Sequence, residues 1–315
     1  MSTLLDPEPQ THDPIAQMRL TMCATRVSFT WMGVRKSLSA DHTATAADQF
    51  EAEPKFVSAR KKLLDTNHPK FKAVTAIKGQ IQQYWKSLTL PYPEAGIRLI
   101  KHIDLQSFQI QMERFQQELR NAVQELDHHF EELKRAAQAR LGQLFDPYDY
   151  PANLWAQFQV TWDFPSVEPP DYLRRLNPEL YERECRRVAD RFDQAVELAE
   201  NAFIEEFHKL LSHLTERLSG DHDGKPKVFR DSAVDNLREF FQRFKNLNLR
   251  SNAELDAVIH EAECILDNIP ARSLRQHDVL CREIAEELTS AQHTIDSILI
   301  DRPRRQLLRQ PQAKE

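Results

Sequence analysis

Two Glu-x-x-His pairs, Glu125/His128 and Glu205/His208, are the residues whose types and spacing come nearest to chemistry. Helical bundles that hold two metal ions use such pairs, because residues three apart share a helix face and reach inward together. Phase argues against that use. Leu126 falls on the apolar stripe of its helix, so Glu125 lies beside the stripe and His128 about 200° away at ~100° per residue. Around Phe203 and Phe207, Glu205 points to the opposite face and His208 lies about 100° off the stripe. Both pairs are expected on solvated faces. His128 and His129 diverge around their helix, and His208/His213 are spaced by five rather than the four of helical zinc ligands. Asp221-x-Asp223-Gly224 matches the start of a calcium loop but lacks its closing Glu, and reads as a turn.

Nucleotide chemistry fares no better. The chain has no G-x-x-x-x-G-K-[ST], G-x-G-x-x-G or G-x-S-x-G, and its six glycines leave little material for a phosphate-cradling loop. The expectation is a protein that is not an enzyme, with no cofactor and no metal. Cys23, Cys185, Cys264 and Cys281 are far apart and form no C-x-x-C pair, which predicts free thiols in a reducing, cytoplasmic setting. No apolar run approaches the roughly 18 residues of a membrane span, and the polar N-terminus has no apolar signal core.

Charge supplies the binding signal. Between Lys55 and Lys101 ten Lys/Arg face two acids, a net +8 in a chain of net −6, so the remainder carries −14. Such asymmetry suits an anionic partner such as nucleic acid, or a basic region docked on an acidic one in the same chain. The candidate nucleic-acid contacts are Arg60, Lys61, Lys62, Lys70, Lys72 and Lys78, with Tyr84 and Trp85 as stacking candidates that also lie on the apolar stripe of their own helix.

Positioning these residues falls to a mostly helical chain, 41% hydrophobic and 29% charged, a balance that favours a folded, heavily charged surface. Residues 1–20 read as a flexible leader, 21–103 as a strand followed by a basic helical region, 104–219 as a helical hairpin, 225–301 as a C-terminal helical region and 302–315 as a flexible tail. Residues 25–31 alternate apolar and polar side chains, the period of a half-buried strand, and 158–164 do the same. As a strand needs a partner for its backbone groups, the two are expected to pair. The first long helix carries Phe108, Met112, Phe115, Leu119, Ala122 and Leu126, and after a phase shift Phe130, Leu133 and Ala137. Asn177 and Pro178 open the second, whose stripe runs through Val188, Phe192, Ala195, Ala199, Phe203, Phe207, Leu210, Leu214 and Leu218. The fold class expected is mainly α: a long antiparallel, coiled-coil-like hairpin with a small two-stranded β element.

The proline- and aromatic-rich connector 146–172 forms the head of that hairpin, with Val27, Phe29, Trp31, Trp155, Phe158, Val160, Trp162 and Phe164 as its structural residues. Near the C-terminus His277, Cys281, Ile284, Leu288, Ala291, Ile295 and Ile298 recur at alternating steps of four and three. That regularity predicts a coiled-coil seam for assembly into a homo-oligomer.

The runs Val27-Ser28-Phe29-Thr30-Trp31-Met32-Gly33-Val34-Arg35-Lys36 and Ala59-Arg60-Lys61-Lys62-Leu63-Leu64-Asp65, the Leu90-Pro91 break and the aromatic connector carry a family resemblance. Over roughly residues 20–220 the chain resembles the uncharacterised helical proteins of bacteria, phages and plasmids grouped as domain of unknown function family 3150. The resemblance brings no active site. It implies a context beside a MoxR-type AAA+ ATPase and a von Willebrand factor A protein, and hence a non-enzymatic scaffold or adaptor acting through protein contacts. The alternative is a phage- or plasmid-related accessory that binds nucleic acid through its basic 55–101 segment.

Overall fold

The computed structural model describes residues 13–218, 232–267 and 278–301. It is mainly helical, 70% helix against 12% strand, and the strands form two small sheets. The described residues divide into two compact units, both discontinuous in sequence. One gathers residues 13–21, Leu90–Pro93, 168–218, 232–267 and 278–301; the other comprises Met22–Thr89 and Glu94–Val167.

The second unit is built on β1 (Met22–Trp31), which pairs antiparallel with both β5 (Ile97–Lys101) and β6 (Phe158–Asp163). The sheet order is β4-β5-β1-β6, with β4 at Thr89–Pro91. The expected pairing of 25–31 with 158–164 is present: Val27 lies opposite Trp162, Phe29 opposite Val160 and Trp31 opposite Phe158. These apolar pairs share one face, and Trp31 meets Phe158 edge-on at 5.0 Å between centroids. On the other face Arg26 forms an ion pair with Asp163, its direct cross-strand neighbour. Of the expected head residues, Val27, Phe158 and Val160 are buried and Phe29, Trp31 and Trp162 pack against the core. Trp155 and Phe164 are 45% and 44% exposed.

Helices α3 (Pro69–Ser87) and α4 (Leu105–His128) contribute to the same core as that apolar face. The first buries Phe71, Val74 and Ile81, the second Phe108, Met112, Phe115, Leu119, Val123 and Leu126. Val123, not Ala122, carries the fifth position of the stripe. The phase shift in the sequence becomes a break at His129, after which α5 (Phe130–Leu141) resumes with Phe130, Leu133 and Ala137 buried. Two polar groups of this core find partners, Trp162 Nε1 donating to Gln109 Oε1 at 2.8 Å and Tyr150 OH to the Leu63 carbonyl at 2.9 Å.

The first unit contains α1 (Pro14–Thr21), α6 (Asp171–Leu176), the 41-residue α7 (Pro178–Leu218), α8 (Ser232–Leu247), α9 (Ala253–Leu266) and α10 (Asp278–Asp301). Helix α7 buries Leu211 where Leu210 was expected. Its Phe203 and Phe207 pack on Phe240, Phe241 and Phe244 of α8, with Phe207 stacked on Phe240 at 5.4 Å. Asn252 caps α9, its side chain accepting from Leu255 N at 3.0 Å.

Two expectations change here. The arms of the expected hairpin fall in different units: α4 fills its stripe against α3 and the sheet, whereas α7 fills its own against α8 and α10. Two antiparallel helix pairs do occur, each within one unit: α3 with α4, where Lys70 meets Glu125 and Tyr84 meets Phe108, and α7 with α10, where His208 meets Asp296 at 3.0 Å and Thr215 meets Gln292 at 2.9 Å. Secondly, Ile284, Leu288, Ala291, Ile295 and Ile298 are buried within the chain, on a helix packed against α7 and α9. The seam is occupied internally and does not present these side chains to a second copy. His277 and the side chain of Cys281 lie outside the described residues, as do the 221–224 turn, residues 1–12 and the 302–315 tail.

Candidate polyanion-binding ribbon

Two short strands, β2 (Arg35–Ser37) and β3 (Arg60–Lys62), pair antiparallel with Arg35 opposite Lys62, Lys36 opposite Lys61 and Ser37 opposite Arg60. Backbone bonds flank the ladder, Leu63 N to the Val34 carbonyl at 2.9 Å and Leu38 N to the Ala59 carbonyl at 3.0 Å. Nothing in an apolar period announces such strands, because every residue in them is polar. Their pairing concentrates five cations on one ribbon, and alternation sorts them by face. Lys36 and Lys61 share one face; Arg35, Lys62 and Arg60 share the other.

The first face is half neutralised, two lysines sharing one carboxylate. Asp149, on the short turn Pro147–Asp149 of the connector, has a side chain only 1% exposed and forms ion pairs with both Lys36 and Lys61. Lys61, 10% exposed, also donates to the Leu144 carbonyl at 2.6 Å. Burial by itself pushes the Asp149 carboxyl up, but the hydrogen bonds and charges of the two lysines outweigh it and hold the group below the ordinary carboxylate range. The connector is therefore fastened to the ribbon by one buried carboxylate.

The second face is open. Arg35, Arg60 and Lys62 are exposed, and none of them has a carboxylate within ion-pair distance among the described residues. Exposed aromatics flank the ribbon in sequence: Phe50 and Phe56, 79% and 80% exposed on the link between β2 and β3, and Tyr148, 93% exposed and next to Asp149. That link contains α2 (Ala40–Asp48). Past β3, Lys62 lines an open pocket of about 260 Å³ with Leu63, Leu133, Ala137 and Arg140, the last bonded to Asp65 at 3.0 Å.

The six basic residues singled out from the sequence thus divide. Arg60, Lys62 and Lys72 are exposed, whereas Lys61 is tied to Asp149, Lys70 pairs with Glu125 at 2.8 Å, and Lys78 lies 4.4 Å from the Trp31 ring and 5.1 Å from that of Phe29. Tyr84 and Trp85 are half-buried. Tyr84 packs on Phe108 and Phe115, and Arg98 covers Trp85 at 6.0 Å, so neither offers a free face in the way Phe50 or Tyr148 does. Sequence reasoning missed Arg35, Lys36 and Asp149, whose part depends on which strand β3 finds. The exposed Phe50, Phe56 and Tyr148 carried a faint signal, each being an aromatic in a polar or turn-rich context.

The Glu-x-x-His residues are used differently. Glu125 faces Lys70 and stands 4.0 Å from an exposed His128; Glu205 is exposed, and His208 pairs with Asp296. Among the described residues no three His, Cys, Asp or Glu side chains cluster as metal ligands, and no helix is long and apolar enough to cross a membrane. Cys23, Cys185 and Cys264 are free thiols. No protein-family model, curated protein or solved structure matches this chain.

Proposed function

We propose that the chain is a non-enzymatic cytoplasmic binding protein and that its basic ribbon takes single-stranded nucleic acid. One observation carries the reading: Arg35 and Lys62 stand directly opposite each other, beside Arg60, with no carboxylate to offset them among the described residues. Like charges directly across a ladder destabilise it. On the reverse face the equivalent pair, Lys36 and Lys61, shares Asp149. A phosphate backbone would do for the open face what Asp149 does for the closed one. Exposed Phe50 and Tyr148 favour a single strand over a duplex, since stacking on an unpaired base contributes about 1–3 kcal/mol and a duplex hides its base faces.

The test is fluorescence anisotropy of an oligothymidylate titrated with the full chain between about 50 and 200 mM salt. Three phosphate contacts predict a slope of log K against log salt of about −2, at about −0.7 per contact on a single strand. Arg60→Ala with Lys62→Ala should reduce the slope to about −0.7. Absence of binding, or a slope unmoved by those substitutions, sinks the reading.

A second reading rests on a different observation. Tyr172 and Leu176, 61% and 77% exposed, sit four residues apart on α6, hence on one helical face. An exposed apolar pair of this kind supports the adaptor role implied by the family resemblance, with an AAA+ ATPase as the partner.

A further inference from the structure

We propose that the free edge of β6, together with the adjoining face of α4, is a docking groove for an extended peptide that carries an apolar residue and, two positions away, an acidic one. β6 is the last strand of its sheet, with β1 on one side and no strand on the other among the described residues. Gln116 Nε2 donates to the Val160 carbonyl at 3.2 Å, from a side chain off the sheet, which marks the backbone of residue 160 as facing the free edge. In an antiparallel ladder the N–H and C=O of one residue point the same way and alternate along the strand, so Phe158 and Trp162 face outward too. With the Val160 carbonyl taken by Gln116, the edge offers the outward groups of Phe158 and Trp162 and the Val160 N–H to an added strand.

Helix α4 runs antiparallel to β6 beside it. Gln109 bonds Trp162, Gln116 bonds Val160, and Asp127 accepts from Leu154 N at 3.2 Å just ahead of the strand. Between helix and strand lies an open groove of about 430 Å³, within the ~300–1,000 Å³ of ligand pockets. Leu119, Val123 and Phe158 lie beneath it, already covered by the core, and the exposed apolar side chain of its lining is Trp155, at 45%. Its charge is Arg120, exposed, held by a 3.2 Å bond to Gln116 Oε1 and without a carboxylate partner among the described residues. Gln116, Leu119, Arg120 and Val123 fall at i, i+3, i+4 and i+7, so one helical face presents all four. Alternate side chains of a strand point to the same side, which gives the occupant its pattern: an apolar group against the exposed Trp155, and a carboxylate two residues on against Arg120. The groove shares no lining residue with the basic ribbon, and its occupant is a peptide whether or not the ribbon binds nucleic acid.

The experiment pans short random peptides displayed on phage against the full chain, with the exposed Arg120→Glu variant as counter-selection, and measures the selected peptide by fluorescence anisotropy. Enrichment of the apolar-x-acidic pattern is expected, with binding about tenfold weaker to Arg120→Glu. N-methylation of alternate amides of the selected peptide should abolish binding in one phase and leave it in the other, as strand addition requires. Failure to enrich, indifference to Arg120→Glu, or equal tolerance of both N-methylation phases overturns the proposal. So does a dimer of the unliganded chain that Arg120→Glu dissociates, which would give the groove to a second copy.

Discussion

Replacing Lys61 by methionine lowers the unfolding free energy by about 3 kcal/mol, whereas Arg60→Ala and Lys62→Ala, on either side of it, leave the urea midpoint in place. The contrast follows from one residue of strand alternation. Lys61 faces Asp149, a side chain 1% exposed, and without it the buried carboxylate keeps only Lys36, itself 55% exposed, to compensate its charge. Methionine keeps the apolar stem, so the loss is that of the charge and of the bond to the Leu144 carbonyl. Acid should reproduce part of the effect. The folded state holds the Asp149 carboxyl below its ordinary value of 3.8, so its contribution is present above that pH and is lost as pH falls through the lower folded value. Urea midpoints measured from neutral pH downward should fall in that window for the wild type and fall less for Lys61→Met. A Lys61→Met chain as stable as the wild type, but weaker on an oligonucleotide, would mean that Lys61 faces solvent and Asp149 does not need it.

That division of neighbouring lysines also marks where sequence reading stops. The β1–β6 pairing was legible because one face of each strand is apolar and the other polar, and a period of two follows. β5 left no such trace: it is an interior strand, and Leu99 and Ile100, adjacent in sequence, are both fully buried. The two ribbon strands were silent for the opposite reason, being too short and too polar to carry a period. Helical stripes announced that a face is covered but not by what. Those of α4 and α7 suggest two arms of one hairpin, although each is filled within its own unit. The basic residues were visible as a charge excess, but a count cannot tell a lysine that awaits a phosphate from one already holding a carboxylate. Only the register Lys36–Lys61 and the arrival of Asp149 from a distant connector separate the two.

Truncating Leu288 to alanine should cost about 3 kcal/mol, within the ~2–5 of buried leucines, and the melting temperature of wild type and variant alike should not depend on protein concentration. The repeat at Ile284, Leu288, Ala291, Ile295 and Ile298 has the spacing of an intermolecular coiled coil. Yet Leu288 is fully buried within the chain, and α10 is pinned to α7 at the margin of the stripe: Thr215 Oγ1 donates to Gln292 Oε1, Gln292 Nε2 to Ser212 Oγ at 3.2 Å, and Asp296 pairs with His208. Polar contacts of this kind fix one register, and their geometry is satisfied by a helix of the same chain. A seam between copies would behave otherwise, because mass action raises the stability of an oligomer with protomer concentration. A melting temperature that climbs through a dilution series, and a Leu288→Ala variant that dissociates while keeping its helical signal, would return the stripe to an interface. Concentration-independent unfolding instead leaves assembly and partner binding to the exposed surfaces, the ribbon and the β6 edge foremost.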